Sequence, residues 1–215
     1  ISCMKLHAGK SCFVTGSWDS TVKLWRYSVD GDTVTLTEPK VVLCEHEAEV
    51  RHVDINRQGE IVASASCSGQ IFVHNIENNR SVIKLQMDAM VTGLRFVESD
   101  GKGDDDDDFE QNFKLAATTV AGVLVLYNAR GAAIFKRNSP YSFRSLEVVG
   151  HTLVTGGTDG HLRCWAVSNG EELQWHHEKG TDTADVVTSL RVQQGGHFLL
   201  AGTAGGKLCL WRIKY

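Results

Sequence analysis

The 215-residue sequence predicts an all-β fold in which five small antiparallel sheets radiate from a common axis, a β-propeller. Three observations predict it. One ten-residue block recurs five times, at Gly16–Trp25 (GSWDSTVKLW), Ala65–His74 (ASCSGQIFVH), Thr118–Tyr127 (TTVAGVLVLY), Gly156–Trp165 (GGTDGHLRCW) and Gly202–Trp211 (GTAGGKLCLW). Ahead of every copy lie two further runs with apolar and polar residues in alternation, the period of half-buried strands. No segment carries apolar residues at helical spacing. A sheet this small cannot hide both of its faces alone, and stacking copies around an axis hides them.

Each unit begins with an innermost strand: ISCMKL, VRHVDI, VTGLRFV, FRSLEVV and VTSLRVQ in chain order. The second strand follows as SCFVT, EIVASA, FKLAAT, HTLVTG and HFLLAG. The recurring block then supplies two small residues, a turn centred on Gly, Ser or Asp, and a third strand that ends on an aromatic in four of the five copies. A more variable fourth strand closes the first four units, as PKVVLCE, RSVIKLQ, GAAIFKR and EELQWHH. From Trp25 to Trp211 the step is about 46 residues, the length of a propeller blade. The blades are expected at approximately 1–45, 46–90, 91–141, 142–185 and 186–215, the last without its outer strand. An acidic insertion, 98–112, interrupts blade three. Its five consecutive aspartates, Asp104 to Asp108, repel one another and are expected in a solvated loop. Docking of a basic partner or of calcium are the alternatives, and the glycine and glutamate spacing of a calcium loop is missing.

Composition bounds the function. Twenty-six acidic against 22 basic residues give a net charge of −4, which offers no general attraction for nucleic acid or anionic membranes. Twenty-one glycines and two prolines suit many tight turns. The six cysteines are scattered through strand-like runs without a C-x-x-C pair, so they read as reduced and buried. No run reaches the ~18 apolar residues of a membrane-spanning helix, and direct membrane insertion is not expected.

Catalytic motifs are absent from this reading. GTAGGKL lacks the glycine spacing of a phosphate loop, and no Ser or Thr follows Lys207. His176 and His177 are adjacent, so in a strand they face opposite ways and cannot share a metal. No serine lies in a G-x-S-x-G elbow. A non-catalytic protein is expected, with no cofactor and no metal.

The blocks resemble WD40 repeats, GSWDSTVKLW and GGTDGHLRCW most closely, and the resemblance runs over nearly the whole chain. It implies a protein-interaction scaffold. Rings of that family usually hold seven blades, so these five are expected to be the last of a longer ring, with on the order of 90 residues of blade ahead of Ile1 at this period. A closed five-bladed ring is the alternative, recognisable by packing of blade one on blade five. The resemblance also implies a turn aspartate that meets a histidine ahead of the innermost strand. Asp19 and Asp159 occupy the aspartate position and His46 the histidine position. They stand in different blades, so no complete pair is expected and the aspartates are read as structural turn residues. Partners of such propellers bind the face where the innermost strands begin. The residues expected there are Trp18, Glu49, Arg51, Met90, Arg144 and Thr158. A phosphoinositide-binding F-R-R-G string is not present; SFRSLE supplies Arg144 alone.

VTGSWDSTVKLWRY and GTAGGKLCLWRIKY look like the C-terminal propeller of BEACH–WD40 proteins, of the type of the factor associated with neutral sphingomyelinase activation. That resemblance implies a cytoplasmic adaptor in receptor signalling or membrane traffic. Its protein partners would be a receptor cytoplasmic segment and a BEACH domain upstream in the same chain. The other reading is a WD40 subunit of a different complex, in RNA processing or as a ubiquitin-ligase substrate adaptor.

Overall fold

The computed structural model describes residues 1–7, 9–43, 46–98, 113–173, 185–193 and 198–212. The acidic run, Cys44, His176 and His177 lie outside the described residues. Blade one is β1 (Cys3–Leu6), β2 (Cys12–Gly16), β3 (Val22–Asp30), β4 (Thr33–Leu36) and β5 (Lys40–Leu43). Blade two is β6 (Val50–Ile55), β7 (Ile61–Ser66), β8 (Gln70–Asn75) and β9 (Ser81–Gln86). Blade three is β10 (Val91–Glu98), β11 (Phe113–Thr119), β12 (Val123–Asn128) and β13 (Ala133–Asn138). Blade four is β14 (Phe143–Val149), β15 (Thr152–Gly157), β16 (Leu162–Ala166) and β17 (Glu172–Leu173), and blade five is β18 (Val187–Val192), β19 (Phe198–Thr203) and β20 (Leu208–Arg212). Every sheet is an antiparallel meander.

Blade one departs from the expected four strands. β3 runs for nine residues, pairing β5 along its first half and β4 along its second. The extra hairpin reverses at Gly31, whose φ of +57° is a conformation that glycine adopts without strain. Tyr27 pairs Leu36 and Val29 pairs Val34, so four apolar side chains line one face of this arm.

The tight turns inside the blades have the same physical basis. Gly69 and Gly122 sit at φ +86° and +76°, and a Cβ on either would strike the backbone carbonyls of Met87 and Ser139 respectively. No other residue fits at these two positions without strain.

The core lies between blades rather than inside them. Val14, Val22 and Leu24 of blade one meet Val53, Val62 and Phe72 of blade two. Ala63, Ile71 and Val73 of blade two meet Leu94, Leu115 and Val125 of blade three. Alternate residues of each strand therefore face the preceding and the following blade, and both sets are buried. Innermost strands pack in chain order, β1 on β6, β6 on β10, β10 on β14 and β14 on β18, while no packing of similar extent joins β18 to β1 among the described residues. The outer faces of blades one and five are exposed: Met4 is 60% and Leu210 63% accessible.

Burial varies among the recurring aromatics, and at the cysteines it departs from expectation. Of the recurring aromatics only Trp165 is fully buried, whereas Trp25, Tyr127 and Trp211 are half-buried. Trp25 faces the uncovered side of blade one, stacked on Phe13 at 5.8 Å. Cys12 and Cys164 are buried as expected, but Cys3, Cys67 and Cys209 are partly accessible, and all five are free thiols.

Candidate functional site

Of the residues expected on one face, Trp18, Glu49 and Arg51 meet one another, and a repeated backbone device sets the places of the others. In blades two to five the register of the innermost strand slips after its first residue, at Val50/His52, Val91/Gly93, Phe143/Ser145 and Val187/Ser189. The residues left unpaired by these bulges are Arg51, Thr92, Arg144 and Thr188. A bulge re-aims its side chain out of the sheet plane. A second device ties the turn of each block to the residue ahead of its innermost strand. Cys67 donates its N–H to Glu49, Val120 to Met90, Thr158 to Ser142 and Ala204 to Val186, at 2.9–3.0 Å. Glu49 and Met90 thus stand beside the turns of their own blades, and Thr158 beside Arg144.

Blade one supplies the exposed aromatic. Trp18 is 64% accessible, in the turn between β2 and β3. Val50 of blade two donates its N–H to Ser17 at 3.0 Å, which docks this turn on the neighbouring blade. The Arg51 guanidinium lies 5.4 Å from the centroid of the Trp18 ring. Arg51 also reaches Glu49 at 3.7 Å and the Cys67 sulfur at 3.2 Å. The guanidinium so held leaves one face of the indole free for contact. Arg144 is exposed at the mouth of the central cavity, which the innermost strands of all five blades line.

The three structural residues occupy separate places. Asp19 accepts the N–H and the hydroxyl of its own Thr21, at 3.0 and 2.6 Å. Those bonds, the hydroxyl's first, lower its pKa to about 2. Asp159 holds Arg163 at 2.6 Å and the N–H of His161. Burial would raise its pKa, but the bonds from Arg163 and His161 outweigh it and the pKa is lowered. Buried His46 bonds Ser64 Oγ at 2.8 Å and packs edge-on against Phe72. Asp19 and Asp159 make these bonds within their own turns.

Sequence reasoning missed the charges deeper in the cavity. Lys5, Asp54, Arg95, Glu147 and Arg191 occupy one register position on the five innermost strands. Lys5 reaches Asp54 at 3.0 Å, Arg95 reaches Glu147 at 3.1 Å and Arg191 reaches Glu147 at 3.4 Å. Asp54 also accepts the N–H of Phe96 on the next blade at 2.8 Å. The signal was present in the strand centres MKL, VDI, LRF, LEV and LRV: one ionisable residue between two apolar ones, alternating in sign.

This cationic surrounding acts on His52, which lines the same cavity. Burial first, then Arg95, Arg191 and Arg51, hold its pKa down to about 4. The folded imidazole stays neutral where the unfolded one takes up a proton. Its contribution to stability is therefore intact above the ordinary histidine value and is lost as the pH falls toward 4. Urea unfolding should show stability falling by roughly 2 kcal/mol more in the wild type than in His52→Gln between neutral pH and 4.5. Parallel curves for the two proteins would contradict this.

Among the described residues no group of His, Cys, Asp or Glu is placed to hold a metal ion, and no helix is long and apolar enough to cross a membrane. The family model "WD domain, G-beta repeat" matches residues 1–26, 37–75 and 173–212. Blades three and four, largely outside the match, have the same meander. BEACH domain-containing protein B of Arabidopsis thaliana is 23% identical over 235 residues, covering all of this chain and 8% of that protein. Small ribosomal subunit protein RACK1y of Oryza sativa subsp. japonica is 25% identical over 180 residues, 78% of this chain and 48% of that protein. The chain thus spans half or less of the length of these relatives. A chain of the crystal structure of the Mitotic Checkpoint Complex superposes with a TM-score of 0.74 at 22% identity, over 98% of this chain and 60% of that one. The sheets and their order around the hub form a β-propeller, and three segments of it match the WD40 repeat model.

Proposed function

We propose that this propeller is a non-catalytic scaffold that binds a protein segment across the face carrying Trp18, Arg51 and Arg144. The observation that carries the proposal is the Trp18–Arg51 pair: a large aromatic, 64% accessible, on a turn anchored to two blades. Exposure of that ring in water is unfavourable by itself, and Trp and Arg dominate binding energies at protein interfaces. Glu49, Met90 and Thr158 extend the same face and supply polar and apolar rim contacts. With two arginines against one glutamate, the face favours a segment that pairs an apolar side chain for Trp18 with a carboxylate for Arg144.

The larger setting we propose is a BEACH-type polypeptide acting as a cytoplasmic adaptor in receptor signalling or membrane traffic, including sphingomyelinase activation. The similarity of the whole of this chain to 8% of a BEACH domain-containing protein supports that setting. The RACK1y similarity favours the second reading, a propeller subunit of another multiprotein complex. Trp18→Ala in the full-length protein should weaken its partners by roughly 2 kcal/mol, about thirtyfold in Kd, with an unchanged unfolding midpoint. Quantitative affinity enrichment against wild type, followed by titration of the recovered partner, measures both. Partners retained at wild-type levels would exclude the Trp18 face as the binding surface.

A further inference from the structure

The hub cavity encloses about 150 Å³, room for roughly five waters. Five basic residues line it, one from each innermost strand: Lys5, His52, Arg95, Arg144 and Arg191. No aspartate or glutamate is among its described lining residues. The two hub carboxylates are buried and engaged away from the open space. Asp54 holds Lys5 and the Phe96 N–H, and Glu147 holds Arg95 and Arg191. Lys5, Arg95, Arg144 and Arg191 against Asp54 and Glu147 therefore leave two positive charges in excess.

Several polar groups on this wall stand unused. Arg144, turned out of the sheet by its bulge, makes no ion pair or hydrogen bond among the described residues. The His52 imidazole makes no hydrogen bond there either. The Ser145 hydroxyl has no partner, although that residue is only 7% accessible. A recess walled by one sign of charge concentrates its field on whatever enters. His52 already registers that field, since Arg95, Arg191 and Arg51 add to burial in keeping it neutral.

We propose that the hub cavity is an oxyanion site that takes one phosphate dianion, with the Arg144 guanidinium as its principal ligand and the His52 imidazole as the second. Two negative charges match the excess of two. A guanidinium fork fits a pair of phosphate oxygens, and the remaining oxygens accept from donors around the wall. A carboxylate brings one charge and two oxygens in a single plane, so it satisfies fewer of these groups. The bound dianion opposes the field of Arg95, Arg191 and Arg51 and should raise the His52 pKa. Lys5, Arg144 and Cys3 share the wall with His52, and Asp54 and Glu147 complete its charged surroundings. The proposal does not rest on the protein segment at the Trp18 face: phosphate is titrated with no protein partner present, so either can fail alone.

The test uses purified full-length protein freed of phosphate. Equilibrium dialysis with radiolabelled inorganic phosphate, and with phosphoserine blocked at both ends, should show a saturable site. Binding of the inorganic ion identifies the free ion as ligand; binding of the blocked phosphoserine alone identifies a phosphorylated side chain. Arg144→Gln should weaken the site by about tenfold or more. Deuterium exchange at the imidazole C2 position, followed by mass spectrometry across pH, reads the His52 pKa directly. Saturating ligand should raise it by about one pH unit or more. Absence of saturable binding at millimolar concentration of either compound would overturn the proposal. So would an Arg144→Gln affinity equal to wild type, or a His52 pKa unmoved at saturation.

Discussion

Glu147→Ala should lower the unfolding free energy by about 3–5 kcal/mol, the largest loss expected from any single surface-to-hub carboxylate here. Arg95 is 9% accessible and relies on Glu147 for a two-pronged contact, its Nε at 3.3 Å and its Nη2 at 3.1 Å. Removal of the carboxylate leaves a buried guanidinium with Asp54 as its remaining counter-charge, and the field of Arg191 adds to its isolation. The size of the effect reflects the stranded cation rather than the strength of the pair. Two controls separate these. Arg95→Met with Glu147→Leu removes both charges and should recover most of the loss, because an apolar pair of similar volume avoids desolvation altogether. Arg191→Met touches only the exposed partner and should cost about 1 kcal/mol or less. Urea unfolding at neutral pH reads all three, and a Glu147→Ala loss below 1 kcal/mol would show that Arg95 rehydrates freely.

Trp165→Ala should cost about 3–5 kcal/mol. The ring is 5% accessible, meets Phe143 edge to face at 6.2 Å, and donates its indole N–H to Thr155 Oγ1 at 2.9 Å. Substitution opens a cavity at the junction of blades three and four and leaves the Thr155 hydroxyl short of a partner. Trp25 is its counterpart in blade one and makes the same bond, to Thr15 Oγ1 at 2.9 Å. Its outer side is bare here, so Trp25→Ala costs as much as Trp165→Ala only in a protein where something covers that side. Denaturant midpoints of the two variants therefore measure how far that side of Trp25 is covered.

The blades were legible because each is a local object. Alternation along fewer than fifty residues marks the strands, and small residues mark turns whose glycines meet neighbouring carbonyls. Trp18, Arg51 and Arg144 could be grouped from the sequence because they keep fixed offsets from the repeated turn. What makes Arg51 and Arg144 project was not legible. A bulge is one extra residue in a register that exists only after two strands have paired.

Residue order by itself determined the number of meanders, their strand sequence and the residues at each turn, because these depend on contacts within one blade. Tertiary packing alone decided that Lys5, Asp54, Arg95, Glu147 and Arg191 form one alternating series, since they are some 40–50 residues apart and meet only when five innermost strands share an axis. In the sequence each looks like an ordinary polar position of an alternating strand. Packing likewise decided that Trp165 is buried while Trp25 is not: the two occupy the same place in the repeat, and burial belongs to the neighbour that covers a side chain rather than to the side chain itself.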